Sequence, residues 1–215
     1  AGEKDGNLIG EKGVGFKAVF AVANKVSIYS GDFCFELSAD EPTIPKLIDK
    51  NDKFEKGTAM LFELKEKMKL DFFSEEKVLR LCLCLRKLKN IIIGDFHVNI
   101  KDEDGIRTIS INEKEYQFKV VSNLFVVDDE QALSERRLIQ RGITKQQYIK
   151  FYVPIGNKMG TKYPHLYSGL PTEIETKIQL IIDAPFELDT ARTNVIDNKW
   201  NSFIRKQLYE SLKDL

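Results

Sequence analysis

Gly10, Gly13 and Gly15 fall within six positions of the run Ile9-Gly10-Glu11-Lys12-Gly13-Val14-Gly15-Phe16-Lys17-Ala18-Val19-Phe20, and an amphipathic segment, Phe16 to Asn24, follows at once. Glycine reaches positive φ and admits a group where a Cβ would collide. A helix opening straight after such a loop turns its unpaired N–H groups and positive dipole end toward it, which favours an anion. The spacing predicts a phosphate cradle, although an ordinary turn before a helix would use the same glycines.

Two common phosphate loops fail on residue chemistry. A Walker loop needs Gly-x-x-x-x-Gly-Lys-Ser/Thr. Gly10 and Gly15 have that separation, but Phe16 intrudes before Lys17 and Ala18 has no hydroxyl for magnesium. A dinucleotide fingerprint needs Gly-x-Gly-x-x-Gly behind an apolar strand. Gly13-x-Gly15 is followed by Ala18 at the third place, and the preceding Ala1 to Leu8 is polar.

The loop resembles the second glycine motif of the GHKL ATPases (gyrase, heat-shock chaperone, histidine kinase, MutL). Gly10-x-x-Gly13-Val14-Gly15-Phe16 is similar to the Gly-x-x-Gly-Val-Gly-Phe loop of the heat-shock protein 90 branch. The wording Gly-Glu-Lys-Gly-Val-Gly-Phe-Lys-x-Val-Phe looks still more like the sacsin-type ATP-binding domains. In that family the loop forms one end of a mobile ATP lid and closes over the triphosphate. The resemblance implies that the Gly13–Phe16 amides face the phosphates and that Lys12 or Lys17 adds charge. Gly57-Thr58, opening the plausible strand Thr58 to Leu64, matches a family Gly-Thr whose hydroxyl helps hold the adenine. Near the end, Leu170-Pro171-Thr172, then Phe186-Glu187-Leu188-Asp189-Thr190-Ala191-Arg192, then Trp200-Asn201 are similar to the tail of the sacsin-like domains. There an arginine follows a strand, so Arg192 is a candidate for the terminal phosphate. A salt bridge to Asp189, Asp197 or another nearby carboxylate is the structural alternative.

The family also uses an upstream helix with a water-activating glutamate and a magnesium-holding asparagine, then an Asp-x-Gly-x-Gly loop whose aspartate reads adenine. None of these can be placed here, where Ala1 stands nine residues before Gly10. The resemblance therefore implies ATP and Mg2+ as cofactors of a complete protein. It places the general base and the magnesium ligand outside this chain, with the catalytic residues unknown and no metal site within it. The 215-residue chain by itself is expected to bind ATP weakly or not at all and not to hydrolyse it.

Lys and Arg total 33 against 33 Asp and Glu, so net charge gives no argument for a nucleic-acid partner. Hydrophobic residues make up 42%, enough for a core, without an apolar run long enough to span a bilayer. No signal peptide is visible, and a cytoplasmic protein is expected. The three cysteines are odd in number; Cys82 and Cys84 read as buried thiols, and Cys-x-Cys spacing does not suit zinc. His97 and His165 have no visible catalytic partner and read as structural or surface residues.

Periodicity predicts a helix over 16–24 and a hairpin over 25–37 turning at Ser30-Gly31-Asp32. Ser74 reads as an N-cap, with Glu75 and Glu76 in the first turn and Phe73 placed to staple onto Val78. That helix is expected to run to about Lys89; the alternation Leu79, Leu81, Leu83, Leu85 also fits a strand, but length and cap decide for helix. Residues 91–127 predict three strands, turning at Asp102-Glu103-Asp104-Gly105 and Asn112-Glu113-Lys114. A boundary is expected at 128/129, between the C-terminal part of an ATP-binding domain and an α+β extension. The extension predicts a charged helix around 134–141 ended by Gly142, strands at 148–155 and 176–182, a loop at 156–171 and an amphipathic helix from about Asp197. The fold class is α+β, with helices on one face of a mainly antiparallel mixed sheet, an incomplete sandwich of the family type. Ala1 to Glu11 has four charged residues, Glu3, Lys4, Asp5 and Glu11, and buries too little to offset its ordering entropy, so a lid mobile without nucleotide is expected. Three functional classes fit: a nucleotide-switched chaperone module acting on neighbouring domains or as a homodimer, a degenerate scaffold, or the motor of a nucleic-acid-processing or defence system. The glycine loop argues against the scaffold.

Overall fold

The structure is a computed structural model that describes residues 15–51, 53, 57–66, 73–139, 143–156, 164–213 and 215. Two compact units emerge, Leu8–Leu70 and Asp71–Leu215. The expected boundary at 128/129 is not where they divide. Strands on either side of it, β8 (Lys114–Val126) and β9 (Gln146–Pro154), pair antiparallel from Phe118↔Pro154 to Val126↔Gln146 within one sheet.

The smaller unit opens with a 3-10 helix, Gly15–Ala21, where an α-helix to Asn24 was expected. Val22 breaks away because β1 (Ala23–Ser30) claims the following residues for a sheet. β1 turns through Gly31-Asp32 into β2 (Phe33–Ser38), and the left-handed φ of 58° at Gly31 suits the tight hairpin. With β3 (Lys46–Leu47) and β4 (Thr58–Leu64) the sheet order is β3-β2-β1-β4. Ala23, Val26, Ile28, Cys34 and Leu37 are buried, whereas Met60, Leu61, Phe62 and Leu64 of β4 are exposed.

The larger unit is built on eight strands in the order β11-β10-β12-β9-β8-β7-β6-β5. Helix α1 (Glu75–Cys82) starts at Ser74, whose hydroxyl accepts from Lys77 N at 3.3 Å, and Phe73 packs on the cluster that contains Val78. The helix stops well before Lys89, because the Leu83 carbonyl is taken by the Arg107 guanidinium and the chain turns into a strand. Four strands occupy the stretch expected to hold three: β5 (Asn90–Ile93), β6 (Phe96–Glu103), β7 (Ile106–Ile111) and β8. Gly94-Asp95 supplies the extra two-residue turn, with Gly94 at φ 57°. Helix α2 (Glu130–Ile139) follows; the expected stop at Gly142 lies outside the described residues.

The expected loop over 156–171 yields β10 (His165–Ser168) and the start of β11 (Leu170–Glu175), turning at Gly169. Pro171 conceals β11 in sequence, but a sheet-edge strand tolerates a missing N–H. The strand expected over 176–182 shrinks to β12 (Ile181–Asp183) because the Thr176 hydroxyl bends the chain onto the Pro164 carbonyl at 2.9 Å. The chain closes in α3 (Lys199–Lys213), with Trp200, Phe203 and Ile204 buried as the helical stripe predicts.

The class is α+β with mainly antiparallel pairing, as expected. The helices, however, do not share one face of the larger sheet. Side chains alternate across a strand, and neighbours divide between two cores: Tyr152, Tyr167 and Ile181 join the α1 cluster, while Phe151, Leu166 and Ile182 join the cluster of α2 and α3. Helix α1 touches β6, β7 and β11, distant in strand order, so the sheet curves around it.

Candidate functional site

Gly10, Lys12, Gly13 and Val14, and the expected lid segment 1–11, lie outside the described residues. Gly15, Phe16 and Lys17 open the 3-10 helix, which packs against β1. The other end of that helix is tied to β4. Lys65 N donates to the Val22 carbonyl at 2.9 Å, and Lys65 Nζ donates to the Phe20 carbonyl at 2.7 Å, a cation at the negative helix end. Thr58 begins β4, opposite Ser30, while Leu64 ends it opposite Ala23. Thr58 and the helix C-terminus are thus about 20 Å apart along the strand. The Thr58 hydroxyl is exposed and shares a 2.8 Å hydrogen bond with Ser30 Oγ, leaving capacity for further partners. Gly57 precedes it at φ 81°, a conformation few other residues adopt.

Arg192 belongs to the larger unit. Its backbone is left-handed at φ 60°, at the end of a turn in which its N–H donates to the Asp189 carbonyl at 3.1 Å. The guanidinium reaches three backbone carbonyls around the β10–β11 turn: Ser168 at 3.1 Å, Leu170 at 2.9 Å and Pro171 at 3.3 Å. A planar fork with several donors suits that cluster. Asp189 and Asp197, two carboxylates weighed as partners, have other partners. Asp189 accepts from Thr193 and Asn194, which hold its carboxyl down at about 2, and Asp197 pairs with Arg205 at 3.6 Å.

Trp200-Asn201 acts as a clasp. Asn201 accepts from Glu187 N at 2.8 Å and donates to the carbonyls of Glu187 at 2.8 Å and Ile196 at 2.7 Å. Trp200 Nε1 donates to the Pro185 carbonyl at 2.7 Å, and the Arg136 guanidinium lies 5.4 Å from its ring centroid. These bonds to residues 187 and 196 brace both sides of the turn that bears Arg192.

Two features had no signal in the sequence. Buried Arg107 donates to both oxygens of Asp102, at 2.6 and 2.9 Å, and to the Leu83 carbonyl, and it lies 5.7 Å from the Tyr152 ring centroid. Its bonds hold the Asp102 carboxyl at about 2, helped by Lys89. The second is a small, mainly apolar hollow beside α1, β8 and β10, with Arg80 and His165 among its walls. Cys34, Cys82 and Cys84 are buried free thiols; burial pushes Cys82 up to about 11 and raises Cys84 well above the ordinary thiol value, which leaves little thiolate at either. Among the described residues no group of three His, Cys, Asp or Glu could hold a metal, and no helix is long and apolar enough to cross a membrane.

The chain is 28% identical over 191 residues to the chaperone protein HtpG of a Sulfurovum species, covering 86% of this chain and 29% of that protein. It thus spans under a third of the length of the curated relative it matches. No family model matches the chain, and no solved structure matches it.

Proposed function

We propose that this chain is part of an ATP-binding, heat-shock-chaperone-like ATPase of the GHKL type, in which nucleotide closes a lid and switches the conformation of a larger protein. The observation that carries the reading is a glycine loop of that family, Gly10 to Phe16, in a chain similar along 86% of its length to a chaperone protein. Gly10, Gly13, Val14, Gly15 and Phe16 cradle the phosphates through backbone N–H groups, with Lys12 and Lys17 adding charge. Thr58 fits the polar edge of adenine, since its exposed hydroxyl has spare hydrogen-bonding capacity. Arg192 contacts the terminal phosphate by exchanging backbone carbonyls for a stronger, charged acceptor. Bound ATP and Mg2+ supply the hydrolysable phosphate bond and its charge neutralisation; the magnesium ligand and general base come from outside this chain. The protein acts in the cytoplasm, on neighbouring domains or as a homodimer.

The test is nucleotide binding and turnover by the full-length protein. Gly15→Val is expected to abolish ATP binding, because a β-branched side chain blocks the approach of the phosphates. Thr58→Val is expected to weaken binding by about tenfold, the weight of one hydrogen bond to a buried polar edge. Arg192→Ala should remove hydrolysis while leaving ATP affinity unchanged. Wild-type affinity in the first two variants would overturn the ATP site, and unaltered turnover in the third would remove Arg192 from it.

A further inference from the structure

Strand β8 has 13 residues and outruns β7, which has 6. The two pair from Ile111↔Lys114 to Ile106↔Lys119, and Val120 N donates to the Gly105 carbonyl at 2.7 Å. There β7 turns away, while β9 follows β8 on its other side as far as Val126↔Gln146. Backbone N–H groups point alternately to the two sides of a strand. Those of Ser122, Leu124 and Val126 therefore point, like that of Val120, to the side that β7 has left. Among the described residues these three N–H groups have no backbone partner. Such an open row is a template for a further strand. The side chains beside it are apolar and uncovered. Leu124 and Ser122 stand opposite Tyr148 and Lys150 of β9, on the face where Val120 and Tyr152 join the α1 cluster. That cover stops short: Leu124 is 53%, Val126 55% and Tyr148 50% exposed. The other face is closed by α3, where Phe125 meets Phe203 at 6.2 Å between ring centroids and Asn123 donates to the Ser211 carbonyl at 3.5 Å. The end of this apolar floor is positive. The Lys150 ammonium has no hydrogen bond or ion pair among the described residues, and burial, with the Arg86 charge nearby, pushes it down. Asp183, opposite Lys150 in register, is buried, accepts from Gly169 N at 2.8 Å and lies 3.9 Å from Arg86 Nη2. Asp102 is already held by Arg107 and Lys89. Lys150 and the half-exposed Arg86 are thus left with a surplus of positive charge.

We propose that the Ser122–Val126 edge of β8 binds an extended acidic segment of a partner protein by strand addition. The segment's backbone pairs with the free N–H and C=O groups, which fixes it as a strand. Its alternate apolar side chains cover Leu124, Val126 and Tyr148, and a carboxylate meets Lys150 and Arg86. A second copy of this edge fits less well, because Ser122 to Val126 carries no carboxylate for that pair. The surface lies within Asp71–Leu215 and does not rest on the nucleotide reading.

The experiment is fluorescence anisotropy of labelled peptides titrated with the 215-residue chain. The probes are Glu-Thr-Val-Thr-Val-Thr-Val-Glu, its counterpart with lysine at both ends, and the first peptide N-methylated throughout. The acidic peptide is expected to bind saturably, about tenfold or more tighter than the basic one. The N-methylated form should not bind, because its backbone donors are gone. Leu124→Pro removes an N–H that points away from β9, so it should keep the β8–β9 ladder and lose the acidic peptide. Circular dichroism checks that this variant folds; if it does not, the N-methylated peptide decides. In Lys150→Gln the preference for the acidic peptide should shrink by about threefold. The proposal is overturned by absent saturable binding, by equal binding of acidic and basic peptides, or by binding that survives N-methylation. A folded Leu124→Pro that binds as before, or an unchanged preference in Lys150→Gln, would also sink it. So would self-association of the chain that Leu124→Pro abolishes, since the edge would then belong to a second copy.

Discussion

At the scale of single residues, Asn201 has the largest structural role for its size. Three hydrogen bonds from one buried amide bind the start of α3 to residues 187 and 196. Replacing it by leucine keeps the volume but strips the Glu187 N–H and the Ile196 carbonyl of their partner, while the Glu187 carbonyl keeps only the Ile196 N–H at 3.1 Å. Asn201→Leu should therefore destabilise the chain by about 3 kcal/mol, measured by urea unfolding; a loss under about 1 kcal/mol would show that water replaces the amide. Asp102 tests electrostatics. Its carboxyl is lowered to about 2 by Arg107, with Lys89 assisting, against an ordinary 3.8. A depressed acid stabilises the fold above its unfolded pKa and loses that contribution as pH falls through its folded pKa. The wild type should lose this share of stability between about pH 4 and pH 2, and Asp102→Asn should flatten that part of the acid arm. Identical acid arms would mean that solvent screens the pair, since Asp102 is partly exposed. Neither role was legible in the sequence. Ser74 was, because a cap bonds three residues away, whereas the contacts of Arg192 with residues 168–171 leave no spacing for a reader to find.

Among the elements, β4 is the one whose sequence and surroundings disagree. Thr58 to Leu64 sets Met60, Phe62 and Leu64 on one face with Ala59 and Leu61 on the other, and its start was readable from Gly57. Yet among the described residues it is an edge strand of its sheet, and Met60 is 46% and Phe62 45% exposed. An apolar edge strand without a partner is prone to self-association. Met60→Lys with Phe62→Lys should change the unfolding free energy by less than about 1 kcal/mol, since little burial is lost. The same pair should reduce concentration-dependent association measured by light scattering. A large loss of stability would mean that these side chains are buried in solution. Elements marked by turn chemistry were legible: Gly31-Asp32, Asp104-Gly105 and Asn112-Glu113 all turn where the sequence places them. Those hidden by proline or by a two-residue turn inside an apolar run, β11 and β5, were not.

For the whole molecule, the division of the chain follows where cores can form. The charged stretch after Asp128 looked like a boundary because polarity usually marks linkers. There it belongs to α2, whose Ala132 and Leu133 pack into the core beneath α3. The actual division falls near residue 70. Asp71–Leu215 has one core on each face of its sheet, one including Ile109 and Phe118 and the other including Phe151 and Trp200. Among its described residues, Leu8–Leu70 buries few large side chains and exposes much of β4. Burial of apolar area dominates folding free energy, so the two units should differ in stability. Amide exchange in increasing urea should show β1, β2 and β4 losing protection at lower denaturant than β7, β8 and β9. The Asp71–Leu215 fragment should retain the same protection pattern when expressed alone. Loss of all six strands at one denaturant concentration, together with an unfolded fragment, would mean that the two units fold as one cooperative body.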